Sequence, residues 1–131
     1  NYHGSAYLDM PLSQKVFLAQ FDTIKRIAKE GSCVIVGRCA DYALSEHTNC
    51  INAFIYAGKD YRIRRVAKHL NLSEGKAKDL INRTDKQRAS YYNFYTNKKW
   101  GDSRSYDLSL SSEKIGIDGC VEMLMKYGEI I

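Results

Sequence analysis

The five residues Cys33-Val34-Ile35-Val36-Gly37 constrain this chain more than any other segment. A short run without polar alternation, rich in β-branched residues and stopped by glycine, predicts a strand buried on both faces over 33–37. Such strands belong to parallel sheets covered by helices, where ligands sit beyond the carboxyl ends of the strands. Arg38 and Asp41 follow this strand directly and stand where that rule places chemistry.

The surrounding pattern alternates helices and strands. Leu12, Val16, Ala19, Ile24, Ile27 and Ala28 recur at helical spacing over 11–30, with Pro11 suited to a first helical position and Gly31 to the stop. A second strand is predicted at 51–57, ended by Gly58, followed by a helix over 60–70. Ser73 is placed to cap a long helix to about Thr96. Residues 98–103 read as a loop, 106–111 as a third strand and 116–127 as a last helix. The class is α/β in one domain, 1–131.

Charge is unevenly spread. The net charge is +5, yet residues 1–58 carry five basic and five acidic side chains, 59–104 thirteen and five, and 105–131 two and five. A basic middle segment on a balanced scaffold points to an anionic ligand, with phosphate the obvious candidate. No apolar run is long enough to span a bilayer, and the first residues carry no signal-peptide pattern. The four cysteines form no Cys-x-x-Cys and complete no zinc spacing, so structural thiols, no metal site and a cytoplasmic location are expected.

Three constellations could carry chemistry. Arg62, Arg64 and Arg65 crowd one helix, and Arg62 and Arg65 share a face suited to bidentate phosphate contact; a solvated basic face is the plain alternative. Asp85 and Arg88, with Arg83 alongside, interrupt the stripe Ile81, Asp85, Arg88, Tyr92 on the long helix. They read either as groups aimed into a cleft or as an i,i+3 surface pair. Tyr91, Tyr92, Phe94, Tyr95 and Trp100 beside Lys98 and Lys99 form either a base-stacking platform or, as such clusters more often do, a helix-to-sheet packing core. His3, His47 and His69 are scattered, and no Ser/His/Asp pattern or Gly-x-Gly-x-x-Gly is present.

Taken in order, Gly37-Arg38-Cys39-Ala40-Asp41, Phe54-Ile55-Tyr56-Ala57, Tyr61-Arg62-Ile63-Arg64-Arg65, Asp85-Lys86-Gln87-Arg88-Ala89-Ser90-Tyr91-Tyr92, Trp100-Gly101 and Tyr106-Asp107-Leu108 resemble the bacterial cytidylate kinase-like family. The resemblance implies a three-layer α/β/α P-loop nucleoside monophosphate kinase fold with a parallel sheet and a helical lid at about 59–97. It implies transfer of the ATP γ-phosphoryl group to CMP, dCMP or a similar monophosphate, with Mg²⁺. Arg62, Arg65 and Arg88 are then the catalytic candidates. Arg38, Asp41, Arg83 and Asp85 would bind the acceptor nucleotide.

The family's Gly-rich phosphate loop is absent from this sequence. The first strand and P-loop of the fold are therefore expected to be missing, and the chain as given to be a fragment, inactive without them. In the family's strand order that first strand lies between 33–37 and 51–57, so direct pairing of the two, or a strand from another chain, are the other ways to close the sheet. The alternative function is a non-catalytic nucleotide-binding or regulatory domain of the same fold. A nucleic-acid binder using the basic segment ranks below both. A nucleoside monophosphate and ATP are the expected partners, membrane is not, and self-association is left open.

Overall fold

The computed structural model describes residues 10–131. Its contacts gather into two compact units, one ending at Cys50 and the other spanning Ile51–Ile131.

The first unit is built on helix α1, Leu12–Glu30, and the single turn α2, Ala40–Ala43. Pro11 occupies the cap position with ψ 148°, one residue earlier than the pattern predicts, and the helix ends before Gly31. The core is small. Ile24, Ala43 and Leu44 are buried, with Phe21, Ala28, Ile35, Ala40 and Cys50 packed against them.

The predicted strand over 33–37 does not form. The segment is extended, but it has no ladder partner among the described residues. Val34 is 94% and Val36 88% exposed, so the expectation of burial on both faces is overturned. The composition suits a strand, but a strand exists only where its N–H and C=O groups find partners. Only Ile35 of the run packs into the local core.

The second unit opens on strand β1, Ala53–Tyr56, which pairs in parallel with β2, Leu108–Ser111. Both are shorter than predicted. The register sets Ala53 opposite Leu108 and Tyr56 opposite Ser111. Asp107 extends the pairing, since its N–H donates to the Asn52 carbonyl at 2.7 Å and its carboxylate accepts from the Asn52 N–H at 2.7 Å. The class is thus α/β with a parallel pair, and this two-stranded sheet is all that is seen of the three-layer arrangement among the described residues.

Helices α3, Lys59–Leu70, and α4, Glu74–Thr96, form an antiparallel hairpin over the expected lid region. Ile63, Ala77 and Ile81 make its seam, flanked by Val66 and Ala67. Asn71 turns the chain with φ 53°, and Leu72 N–H reaches back to the Ala67 carbonyl at 2.9 Å, a Schellman stop. Ser73 caps α4 as its position predicts, its hydroxyl accepting from Lys76 N–H at 3.2 Å. The final helix α5, Ser112–Ile130, starts earlier than predicted and is broken at Gly116, where φ 72° and ψ 173° are open chiefly to glycine.

The aromatic run divides. Phe54 lies edge-on to Trp100 at 5.3 Å and stacks on Tyr106 at 4.9 Å, and Tyr92 stacks on Tyr106 at 6.2 Å. This inner cluster pins the loop after α4 onto β1. Trp100 N–H donates to Asn93 Oδ1, and Gly101 N–H to the Tyr106 hydroxyl. Tyr91, Phe94 and Tyr95 lie outside it as a separate cluster.

Candidate functional site

The carboxyl ends of the two parallel strands are stitched together. β1 ends at Tyr56 and α3 begins at Lys59, while α5 begins at once after β2. Ser112 hydroxyl donates to the Tyr56 carbonyl at 3.3 Å, and Glu113 Oε2 accepts from Gly58 N–H at 3.0 Å. A Cβ at residue 58 would lie 2.6 Å from that carboxylate oxygen, so a larger residue here would make the Glu113 side chain shift. A negative group at the α3 N-terminus also suits the helix dipole.

One turn into α3, Arg62 projects across to α4 and grips Asp85 with both guanidinium nitrogens. Nη1 donates to Oδ2 and Nη2 to Oδ1, each at 2.7 Å. The pair is partly shielded, with 33% and 28% of the two side chains exposed. The Arg62 hydrogen bonds hold the Asp85 carboxyl below its ordinary range; partial burial opposes this, while the charges of Arg62, Arg88 and Lys59 reinforce it. Arg62 moves the other way, raised chiefly by its bonds to Asp85.

Sequence spacing offers Arg88 as the i,i+3 partner of Asp85, whereas the direct ion pair runs across the helix hairpin to Arg62. Helical neighbours compete poorly with a fork that meets both carboxylate oxygens. Arg88 still acts on the same carboxylate through its charge, as does Lys59. Three cations thus act on a single acid, which leaves local positive charge for an anion such as phosphate. Lys59 escaped the sequence reading. It stands three residues before Arg62, on the same helix face, immediately after Gly58, which caps the helix.

Because Asp85 titrates below its unfolded value near 3.9, the pair stabilises the protein above that pH. The contribution is lost as pH falls through the lowered folded value. Asp85→Asn is expected to cost about 1–2 kcal/mol at neutral pH. Acid unfolding curves of the two proteins should draw together as pH falls through the lowered Asp85 value, and a gap that stays constant into acid would refute the assignment.

The other predicted residues are placed as follows. Arg65 is exposed on α3 and Arg83 exposed on α4. Arg38 and Asp41 belong to the other unit. Gly37, Arg38 and Cys39 follow one another in left-handed conformation, with φ of 69°, 58° and 55°. Left-handed backbone costs a non-glycine residue roughly 1–2 kcal/mol, so an exposed arginine held there is a functional candidate by strain as well as by position. Asp41 Oδ1 accepts from Tyr42 N–H at 2.9 Å within the first turn of α2.

Cys39 is buried beneath this turn, and burial, helped by the Asp41 charge, pushes its thiol up to about 11. Cys33 is exposed. A maleimide should therefore label Cys33 well before Cys39 or the buried Cys120, read by peptide mass spectrometry. Equal rates at Cys33 and Cys39 would contradict this packing.

Among the described residues no three His, Cys, Asp or Glu side chains gather as a metal site, and no described helix is long and apolar enough to cross a membrane. The described residues therefore do not fit a metal ion held by protein ligands alone.

Comparison with known proteins agrees with the family resemblance. A crystal structure of an uncharacterized protein from Eubacterium ventriosum ATCC 27560 is similar at 38% identity and a TM-score of 0.85, covering 90% of this chain and 74% of its own. No curated protein matches. The profile of the cytidylate kinase-like family matches residues 1–114, and the chain belongs to that family.

Proposed function

We propose that this chain forms the acceptor-binding and lid portion of a nucleoside monophosphate kinase, handing a phosphoryl group from ATP to CMP, dCMP or a close relative. The observation that carries the proposal is the two-pronged Arg62–Asp85 contact, on whose carboxylate the charges of Arg88 and Lys59 also act, in a member of the cytidylate kinase-like family. Phosphoryl transfer needs little covalent chemistry from the protein. It needs positioning and positive charge around the equatorial oxygens.

In this reading Arg62, Arg65 and Arg88 hold the transferring phosphoryl group, and Lys59 adds charge beside the strand end. Asp85, an acceptor only, takes a sugar hydroxyl and Arg83 the acceptor phosphate, while Arg38, in the first unit, is a separate acceptor-binding candidate. Asp41 orients the turn that presents Arg38. Helices α3 and α4 exclude water when the site is filled. ATP and Mg²⁺ stay within the proposal. The chain has no Gly-rich phosphate loop and the described residues form no metal cluster, so the roles assigned to these side chains pass through neither.

The missing loop favours a second reading, a nucleotide-binding domain without catalysis. ADP release from the intact protein, assayed with CMP, dCMP, UMP and AMP, separates the two. Turnover with a pyrimidine monophosphate supports the kinase. Calorimetric binding of CMP without turnover supports the second reading, and absence of both binding and turnover rejects each.

A further inference from the structure

The first unit holds an open cavity of about 690 Å³, within the range of small-ligand sites, whose lining includes none of the residues given a role above. One wall is α1. Lys25 and Lys29 stand one turn apart on the same helix face, and both line the cavity. Lys25 Nζ rests over the Phe21 ring at 5.3 Å, and Phe21 meets the Tyr42 ring at 5.8 Å. A cation and two aromatic rings therefore lie side by side in one recess. The other wall is the short loop after α2, anchored where Ser45 N–H donates to the Tyr42 carbonyl and His47 N–H to that of Leu44. It brings Ser45, Glu46, Thr48 and Asn49 to the lining. Neither lysine nor Glu46 forms an ion pair with a described residue.

We propose that this cavity binds a small sugar phosphate, with the phosphate between Lys25 and Lys29 and the sugar hydroxyls on the loop. Like charges one turn apart repel, and an anion held between them turns that repulsion into attraction. Inorganic phosphate alone is a poorer fit, because Glu46 lines the same recess and repels it. Sugar hydroxyls can donate to that carboxylate, and Ser45, Thr48 and Asn49 offer both donors and acceptors. The Phe21 and Tyr42 rings give the apolar C–H face of a sugar a surface to rest on. An apolar peptide or a lipid tail would leave both ammonium groups and Glu46 without partners. The inference is independent of the nucleotide reading, which uses other residues.

Amide chemical-shift mapping of the full chain by NMR, with ribose 5-phosphate, inorganic phosphate and ribose, tests the assignment. Ribose 5-phosphate should move the amides of 21–29 and 42–49 together, and ribose alone should move neither. Lys29→Gln should weaken ribose 5-phosphate about tenfold. Arg26→Gln makes the same charge change on the same helix, at an exposed residue outside the cavity lining, and should leave affinity unchanged. Glu46→Ala should weaken ribose 5-phosphate and strengthen inorganic phosphate. All three substituted side chains are exposed, so the fold should survive each change. Equal losses in Arg26→Gln and Lys29→Gln would overturn the site, since diffuse charge would then explain the binding. Inorganic phosphate binding the unsubstituted protein as tightly as ribose 5-phosphate would overturn it too. Shifts confined to 59–88 would overturn the cavity site while supporting the nucleotide reading. Absence of any shift overturns the cavity site alone, and CMP binding keeps its own assay.

Discussion

Arg62→Met is expected to lower kcat for phosphoryl transfer to CMP by about 10²–10³-fold, the usual effect of removing one charge-stabilising donor from a developing anion. Two roles of Arg62 must be separated, because the same guanidinium also pins α3 to α4 through Asp85. Asp85→Asn loosens the pin but keeps the cation. If Arg62 acts on the phosphoryl group, Arg62→Met should lose kcat far beyond its loss of folded protein, whereas Asp85→Asn should act mainly on KM. Arg62→Lys keeps the charge and loses the fork, so it should fall between the other two. Turnover that tracks only the folded fraction in all three variants would reduce Arg62 to a structural staple.

The pin also bears on how the site would work. In this structure Arg62 is turned to a carboxylate, and under the proposed function an incoming phosphoryl group must compete for the same donors. A dianion carries more charge than Asp85, and Lys59 and Arg88 already bias the surroundings toward it. On that proposal Asp85 would hold Arg62 in place until substrate arrives, which lowers the ordering cost of a long side chain. That sequence of contacts makes Asp85 a positioning residue for Arg62 as well as a candidate ribose acceptor.

The α3–α4 hairpin is legible in the sequence, because Ile63, Val66, Ala67 and Ile81 keep helical period and Ser73 is a capping residue at a break. The strand pair is legible in position, since β1 and β2 lie within the two alternating or apolar stretches at 51–57 and 106–111. The failure at 33–37 is instructive. Val34, Ile35 and Val36 have strand composition, but pairing is a property of two segments and composition reports on one. The Arg62–Asp85 pair is hidden for the same reason. Both residues stand out, yet 23 positions separate them, and only the packing of α3 on α4 brings the fork to the carboxylate. Lys59 is hidden by its plainness, a lysine at a helix start, and gains meaning only from the carboxylate opposite.

The largest stability effect is expected at Ile81→Ala, at about 2–4 kcal/mol with a clear fall in Tm. Ile81 is 4% exposed and meets Ile63 and the fully buried Ala77, so truncation leaves a cavity in the apolar seam that holds the α3–α4 hairpin together. Ala77→Leu tests the same seam from the other side, since a larger group has no room there and overpacking costs roughly 1–3 kcal/mol. Hydrogen exchange gives the sharper readout. If the hairpin opens as a unit, Ile81→Ala should speed exchange across α3 and α4 together while the amides bridging β1 and β2 keep their protection. Uniform loss across the whole of 51–131 would mean instead that sheet and hairpin unfold as one. In that case the Arg62–Asp85 pin would be a brace for the entire unit, and substrate competing for Arg62 would have to loosen more than a lid.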